Sequence, residues 1–397
     1  MAKAAKETKA TKAAKVAKPA KVVKPVAPPK SAKPVKRHSV AEASIASKDP
    51  KPQKLVKIEI HGFKSIESTS LELRDLNVVI GANGAGKSNL IGAFKLLERY
   101  FSNRLSDHIA GEPERFLHHG PKVTSGIKLE LVFERFAYGF TIQDMHGTTI
   151  ECTGVETRRI PPMVPDTTHP DYLPLRDLME YVRYMTQKCA TYHFDDTTDL
   201  TPAKRLANLG DNRFLRPDGG NLAAFLYWMQ EKEPVRFRMV EEHIRLVAPF
   251  FECFVLAPFK LNENKIKLEW RQKGSNAYFD GYSLSSGTLR FICLAALLLQ
   301  PEPPPLILLD EPELGLHPLA IRVLAEMLES ASMRSQVIIA TQSVTLLDRF
   351  RPDCVVVAEH DGSKTAFRRL DEKKLAAWLE DYSLGELFEK NVLGGRP

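Results

Sequence analysis

The chain has 397 residues, 43% of them hydrophobic and 8% aromatic, enough for one large or two ordinary domains with a proper core. No run of about 18 apolar residues occurs, so no membrane span is expected. The net charge of +7 is unevenly placed: residues 1–54 hold fourteen Lys and Arg37 against Glu7, Glu42 and Asp49, a net of +12, which leaves residues 55–397 at −5.

In the basic segment Lys recurs every third residue from Lys3 to Lys24 and again at Lys30, Lys33 and Lys36, with Ala, Val and Pro between. No Phe, Tyr, Trp or Leu precedes Leu55, so nothing there can build a core, and residues 1–54 are expected to be a disordered tail. Two readings stay open for it. It is a solvated linker, or it is a polycation that neutralises nucleic-acid phosphates. It lacks the apolar centre of an export signal and the Arg/Ser-rich amphipathic helix of a transit peptide. "PVKRH" fits a nuclear signal only as a cheap pattern. The five cysteines, Cys152, Cys189, Cys253, Cys293 and Cys354, show neither pairing nor metal spacing and suit a reduced, cytoplasmic interior.

The body begins at Leu55. "KLVKIEIHGFKSI" reads as a strand and a glycine turn, and "LNVVI" (Leu76–Ile80) as a short buried strand followed by a helix, "NLIGAFKLLERYF". Alternation over residues 127–152 predicts an antiparallel meander. Residues 170–250 turn helical, with "NLAAFLYWMQ" and "VEEHIRLVAPFF" the clearest pieces, and "KIKLEWRQ" reads as an edge strand. Then come the helix Leu289–Leu299, the apolar strand Leu306–Leu309, a helix over Leu319–Ser330, the strands "QVIIATQS" and "CVVVAEH", and a helical region around Trp378. Apolar strands alternating with helices predict an α/β fold with a parallel or mixed core sheet. The predicted organisation is a core of residues 55–126 and 275–397, split by a β/helical insertion over 127–274 with an antiparallel subdomain.

Two stretches carry the chemistry. Gly81, Ala82, Asn83, Gly84, Ala85, Gly86, Lys87 and Ser88 fit G-x-x-x-x-G-K-[ST] at every defined position, between a predicted strand and a predicted helix. Glycines let backbone N–H groups wrap phosphates at a helix N-terminus, Lys87 would reach the β/γ-phosphates, and the Ser88 hydroxyl would ligate Mg²⁺. "LILLDEP" supplies the partner. Asp310 ends the strand, where a carboxylate can hold Mg²⁺ through water, and Glu311 beside it can act as general base on the attacking water. ATP and Mg²⁺ are the cofactors expected. His118 and His119 lack a third ligand at metal spacing and read as structural.

The chain resembles the ABC-type ATPases, within them the RecF/SMC/OLD-like branch of AAA-family ATPases. Four stretches carry the resemblance: "GFKSI" (Gly62–Ile66), "GANGAGKSNL" with Asn89 after Ser88, "LSSGTLRF" (Leu284–Phe291) and "LLDEPELGLHP". It runs from Leu55 to the ending "LGGRP" and leaves the tail outside. It implies a P-loop ABC-ATPase head whose nucleotide is sandwiched between two chains of a homodimer. The phosphate loop, Gly81–Asn89, then comes from one chain and the signature, Ser285, Ser286, Gly287 and Thr288, from the other. The Ser285 hydroxyl and the amides of the next three residues can meet a γ-phosphate at the start of a helix. A Ser/Thr helix cap has the same geometry and is compatible with that role. Ser286 and Thr288 depart from the common LSGGQ. The resemblance puts a switch histidine where this chain has Gln342, which can hydrogen-bond a γ-phosphate or water but carries no positive charge, so slow hydrolysis is expected. Gly315, Leu316 and His317 should lie near the dimer seam, His317 as a helix-start contact before Pro318. The Q-loop glutamine that the resemblance implies has no clear place in this sequence; Gln143 is one candidate.

The expected function is therefore an ATP-hydrolysing, ATP-gated dimer on DNA, serving repair, chromosome maintenance or phage defence, cytoplasmic or nucleoid-associated. The insertion is too short for SMC coiled-coil arms. The alternative is an ATPase that regulates a nuclease or effector partner in trans. Only about fifty residues follow Gln342, too few for the Toprim domain of OLD-like nucleases. A transporter ATPase fits least, given Gln342, the insertion and the basic tail.

Overall fold

The computed structural model describes residues 53–109, 112–145, 149–159, 175–189, 191–192, 194 and 200–395. The predicted disordered tail lies outside the described residues, apart from Gln53 and Lys54.

Strands β1 (Leu55–Phe63), β2 (Ile66–Glu72), β4 (Gly126–Phe133), β5 (Phe136–Met145) and β6 (Thr149–Arg159) form one antiparallel sheet in the order β2-β1-β4-β5-β6. The strands at Leu55–Glu72 thus pair with the predicted meander: Ile58 lies opposite Leu131 and Ile60 opposite Leu129. Alternation in β4, with Ile127, Leu129, Leu131 and Phe133 buried, gives this sheet one apolar face. Helices α1 (Lys87–Phe101), α2 (Leu105–Ile109) and α3 (Leu175–Lys188) supply apolar residues to the same core, among them Leu90, Phe94, Leu97, Leu178 and Val182.

The central sheet contains β3 (Leu76–Ile80) and β7 (Thr191–Tyr192) from the first half of the chain. Two small three-stranded sheets come next in sequence. One joins β8 (Ala207–Asn208), β10 (Pro258–Phe259) and β11 (Asn262–Ile266), and the other joins β9 (Phe251–Phe254), β12 (Glu269–Gln272) and β13 (Tyr278–Asp280). "KIKLEWRQ", read as one strand, therefore divides between two sheets, with Lys267 and Leu268 between them. Around these sheets lie α4 (Leu222–Lys232) and α5 (Pro234–Val247). The last third adds α6 (Ser286–Leu299), β14 (Leu306–Asp310), α7 (Pro318–Ser332), β15 (Gln336–Thr341), α8 (Val344–Leu347), β16 (Val355–His360), β17 (Thr365–Arg369), α9 (Glu372–Leu379) and α10 (Leu384–Glu389).

The central sheet runs β17-β16-β3-β15-β14-β7, parallel except where β17 pairs antiparallel with β16. Its strands are apolar on both faces because both faces are covered. Val78, Ile307, Val337 and Val357 face a core shared with α4–α7, while Val79, Leu308, Ile338 and Val356 face the core shared with α1 and the antiparallel sheet. Loops leaving the carboxyl ends of β3, β14 and β15 lie side by side, the place where α/β sheets collect ligands.

Candidate nucleotide site

The loop Gly81–Gly86 leaves β3 and turns into α1. Lys87 is buried, and its ammonium donates 2.8 Å hydrogen bonds to the carbonyls of Gly81 and Ala82. Burial lowers its pKa, and the carboxylates of Glu311, Asp310 and Glu313 pull it back up. Three acids converging on one buried cation form a strongly anionic floor. Ser88 is exposed at the start of α1 and Asp310 closes β14, so both offer hard oxygen ligands fitted to Mg²⁺.

Asn89 faces a different task. Its amide donates 2.7 Å to the Ser65 hydroxyl, which shares a 2.7 Å bond with Thr365. The Thr365 hydroxyl in turn donates 3.0 Å to the Ala85 carbonyl, and its N–H donates 2.7 Å to the Ser65 carbonyl. The "GFKSI" turn and β17 thus brace the far limb of the loop through Asn89.

Glu311 takes φ +45°, a left-handed conformation that costs a non-glycine residue about 1–3 kcal/mol. Its N–H is held by the Ala340 carbonyl at 2.8 Å. Gln342 completes the arrangement. One amide nitrogen donates to Asn83 Oδ1 at 2.6 Å and to Glu311 Oε1, so a residue just beyond β15 ties the phosphate loop to the acid at the end of β14.

Glu313 escaped the sequence reading. Its carboxyl is buried at 8% exposure, Oε1 accepts from the Thr341 hydroxyl, and Oε2 is buried without a hydrogen-bond partner. Burial raises its pKa, against the Thr341 hydroxyl bond, which favours the anion. The Ser343 N–H donates 2.9 Å to the same Thr341 hydroxyl, so Glu313 fixes the segment that carries Gln342. The only signal in the sequence is a third acid within four residues, Asp310–Glu313. Glu313→Ala is expected to slow ATP turnover by about five- to a hundredfold, as loss of a buried hydrogen bond does when a partner is left unsatisfied. ATP affinity should hold, and Glu313→Gln, which keeps an acceptor, should fall between. Unchanged kcat in both variants would reduce the residue to packing.

Ser285 caps α6, accepting from the Thr288 N–H at 3.2 Å and bonding the Thr288 hydroxyl at 2.8 Å. Ser285 and Ser286 are exposed, whereas α6 is buried from Leu289 onward. Gly287 is needed by a neighbour in its own chain: a Cβ there would collide with the Gly315 carbonyl. Arg290, buried one turn on, donates to the carbonyls of Phe194 and Leu314. The signature and the 311–316 loop are therefore one packed unit. Among the described residues no hydrogen bond or ion pair joins Ser285–Thr288 to Gly81–Asn89.

The remaining candidates fall elsewhere. His317 caps α7, its Nδ1 accepting from Leu319 N–H at 3.3 Å. His118 is buried, and its ring bonds the Lys64 carbonyl at 2.8 Å. Gln143 is exposed on β5 opposite Gly126, in the antiparallel sheet.

Comparison with known proteins accords with this geometry. Residues 54–134 match the family described as "AAA ATPase domain", and residues 194–348 match "AAA domain, putative AbiEii toxin, Type IV TA system". The first match holds the phosphate loop; the second holds the signature, Asp310, Glu311 and Gln342. The chain is 32% identical over 89 residues to the DNA replication and repair protein RecF of Pseudoalteromonas translucida, a match spanning 21% of this chain and only 24% of that protein. Its fold is similar to an Smc head bound to the C-terminal winged-helix domain of ScpA (TM-score 0.57, 16% identity, 81% of this chain and 99% of the other). It is also similar to a Pyrococcus furiosus Smc head with an extended coiled coil, bound to the C-terminal domain of ScpA (TM-score 0.54, 13% identity, 83% and 99%). Motifs, sheet order and both family matches together show a P-loop fold of the Smc-head type, similar in sequence to AAA-family ATPases and, over 89 residues, to RecF.

Proposed function

We propose that this chain is a slow ATPase that closes as a dimer around ATP and acts on DNA. ATP bound at Gly81–Asn89 of one chain is covered by Ser285–Thr288 of a second. The observation that carries the reading is the signature itself: its hydroxyls are exposed on a helix otherwise buried, without a bond to its own phosphate loop.

In this reading Lys87 exchanges two carbonyl acceptors for phosphate oxygens, a stronger charge-assisted pairing. Ser88 and Asp310 would hold Mg²⁺, which would supply positive charge beside the phosphates. Glu311 polarises the attacking water, and Gln342, already on its carboxylate, orients that water and senses the γ-phosphate through Asn83. A neutral amide in place of an imidazolium leaves less stabilisation of transition-state charge, hence slow turnover.

DNA as the target is supported by the likeness to RecF and by residues 1–54, whose +12 contrasts with −5 for the rest. A cytoplasmic, nucleoid-associated location follows from the same reading, and among the described residues no helix is long and apolar enough to cross a membrane. Binding to duplex DNA across a salt series tests it. Each phosphate neutralised adds about −0.9 to the slope of log K against log salt, so removing residues 1–54 should flatten the slope by several units. Equal affinity and slope in the truncated protein would make the tail a linker. A second reading, an ATPase regulating an effector in trans within a defence system, is supported by the toxin–antitoxin description of the family matched over 194–348. It predicts a co-purifying effector and no DNA affinity from the ATP-bound body.

A further inference from the structure

The phosphate loop is braced on two sides. The far limb leans on Asn89, Ser65 and Thr365. The near limb leans on residues 393–395.

Helix α10 ends in a reverse turn of the Schellman type. Asn391 takes φ +58°, its N–H returns to the Phe388 carbonyl at 3.0 Å, and the Val392 N–H returns to the Leu387 carbonyl at 2.9 Å. This turn sends Leu393 into the core at 1% exposure, and Arg368 of β17 holds the Leu393 carbonyl at 2.8 Å. Gly394 and Gly395 then pass over the end of β16, at φ +78° and +80°. The two differ in what a side chain would meet: at Gly394 the mobile end of the half-exposed Glu359, at Gly395 the packed core and the phosphate loop. A Cβ on Gly394 would fall on the Glu359 carboxylate, and one on Gly395 would lie 2.8 Å from Val357 Cγ1 and 3.3 Å from the Gly81 Cα. From there the Gly395 carbonyl accepts the N–H of Ala82. Ala82 is thus held at both ends of its peptide frame: its N–H by Gly395 and its carbonyl by the Lys87 ammonium.

We propose that Gly394 and Gly395 are positioning residues of the nucleotide site, holding the Gly81–Ala82 limb where Lys87 can meet the β/γ-phosphates. The inference rests on reading Gly81–Asn89 as the ATP loop. At Gly395 a left-handed backbone and the close approach to Val357 and Gly81 together favour glycine. With a larger residue the segment lifts off, the Ala82 N–H turns to water, and the limb loses its support while the core keeps Leu393.

The test is Gly395→Ala, read by ATP affinity, by the KM and kcat of hydrolysis, and by the melting temperature without nucleotide. Strain at a left-handed alanine predicts an ATP Kd and KM raised on the order of tenfold, with kcat at saturating ATP little changed. A chain lacking residues 394–397 keeps Leu393, introduces no clash, and should show the same weakened binding. It decides the matter if Gly395→Ala fails to fold. Lys87→Ala separates the two levels. If Lys87→Ala loses ATP while Gly395→Ala and the shortened chain bind like wild type, the brace is refuted and the ATP site stands. If Lys87→Ala binds ATP normally, the reading of the loop fails first.

Discussion

Glu311→Gln is expected to lower steady-state ATP turnover by about 10²–10⁴-fold, the range typical for loss of a general base, while ATP binding stays within a few-fold of wild type. The substitution is a narrow probe. Glutamine fills the same volume, and its carbonyl oxygen can still accept from Gln342, so the contact that ties β15 to the end of β14 survives. What disappears is the carboxylate that takes a proton from water. The backbone at φ +45° is strained equally in both, because the strain comes from the Cβ that glutamate and glutamine share, and the Ala340 carbonyl still holds the residue's N–H. Phosphate release measured beside equilibrium ATP binding checks both halves. Hydrolysis at the wild-type rate would remove Glu311 as the base and shift attention to Glu313.

Ser285→Arg carries the second large effect. Turnover should drop to background and ATP-dependent association should vanish, with monomer ATP affinity retained. Ser285 is exposed, so an arginine side chain there can extend into solvent. Loss of the cap to Thr288 costs about 1 kcal/mol of stability, too little to unfold a domain of this size. Ser285→Ala gives the matching control, since it removes cap and hydroxyl without adding bulk. A monomer that no longer binds ATP after Ser285→Arg would place the serine in its own chain's site.

Most of the candidate site was legible because it obeys local rules. The glycine spacing, Lys87 and Ser88 announce a phosphate loop, and the apolar run Leu306–Leu309 announces a buried strand with acids at its end. Gln342 could be located by its place after another apolar strand, but its bond to Asn83 and Glu311 is tertiary, joining residues 259 and 31 positions apart. The pairing of β1 with β4 was hidden for a related reason: alternation tells which face of a strand is buried and not which strand lies beside it. Strand β7 is two residues long and has no period to read. Glu313 looked like one more acid after a strand; its burial depends on Thr341. Gly287 invited a phosphate-facing explanation, whereas the close approach that requires it is to Gly315. The closing diglycine was visible only as a shared ending, because the limb it touches lies more than 300 residues away.

The central claim is that the active site takes two chains. The most direct measurement is the solution mass of Glu311→Gln with and without ATP, by sedimentation equilibrium, beside the double variant Glu311→Gln/Ser285→Arg. The account predicts a monomer without nucleotide, a stable dimer with ATP, and a monomer that still binds ATP in the double variant. The same mass for Glu311→Gln with and without saturating ATP, or a double variant that dimerises as readily as the single one, would contradict it.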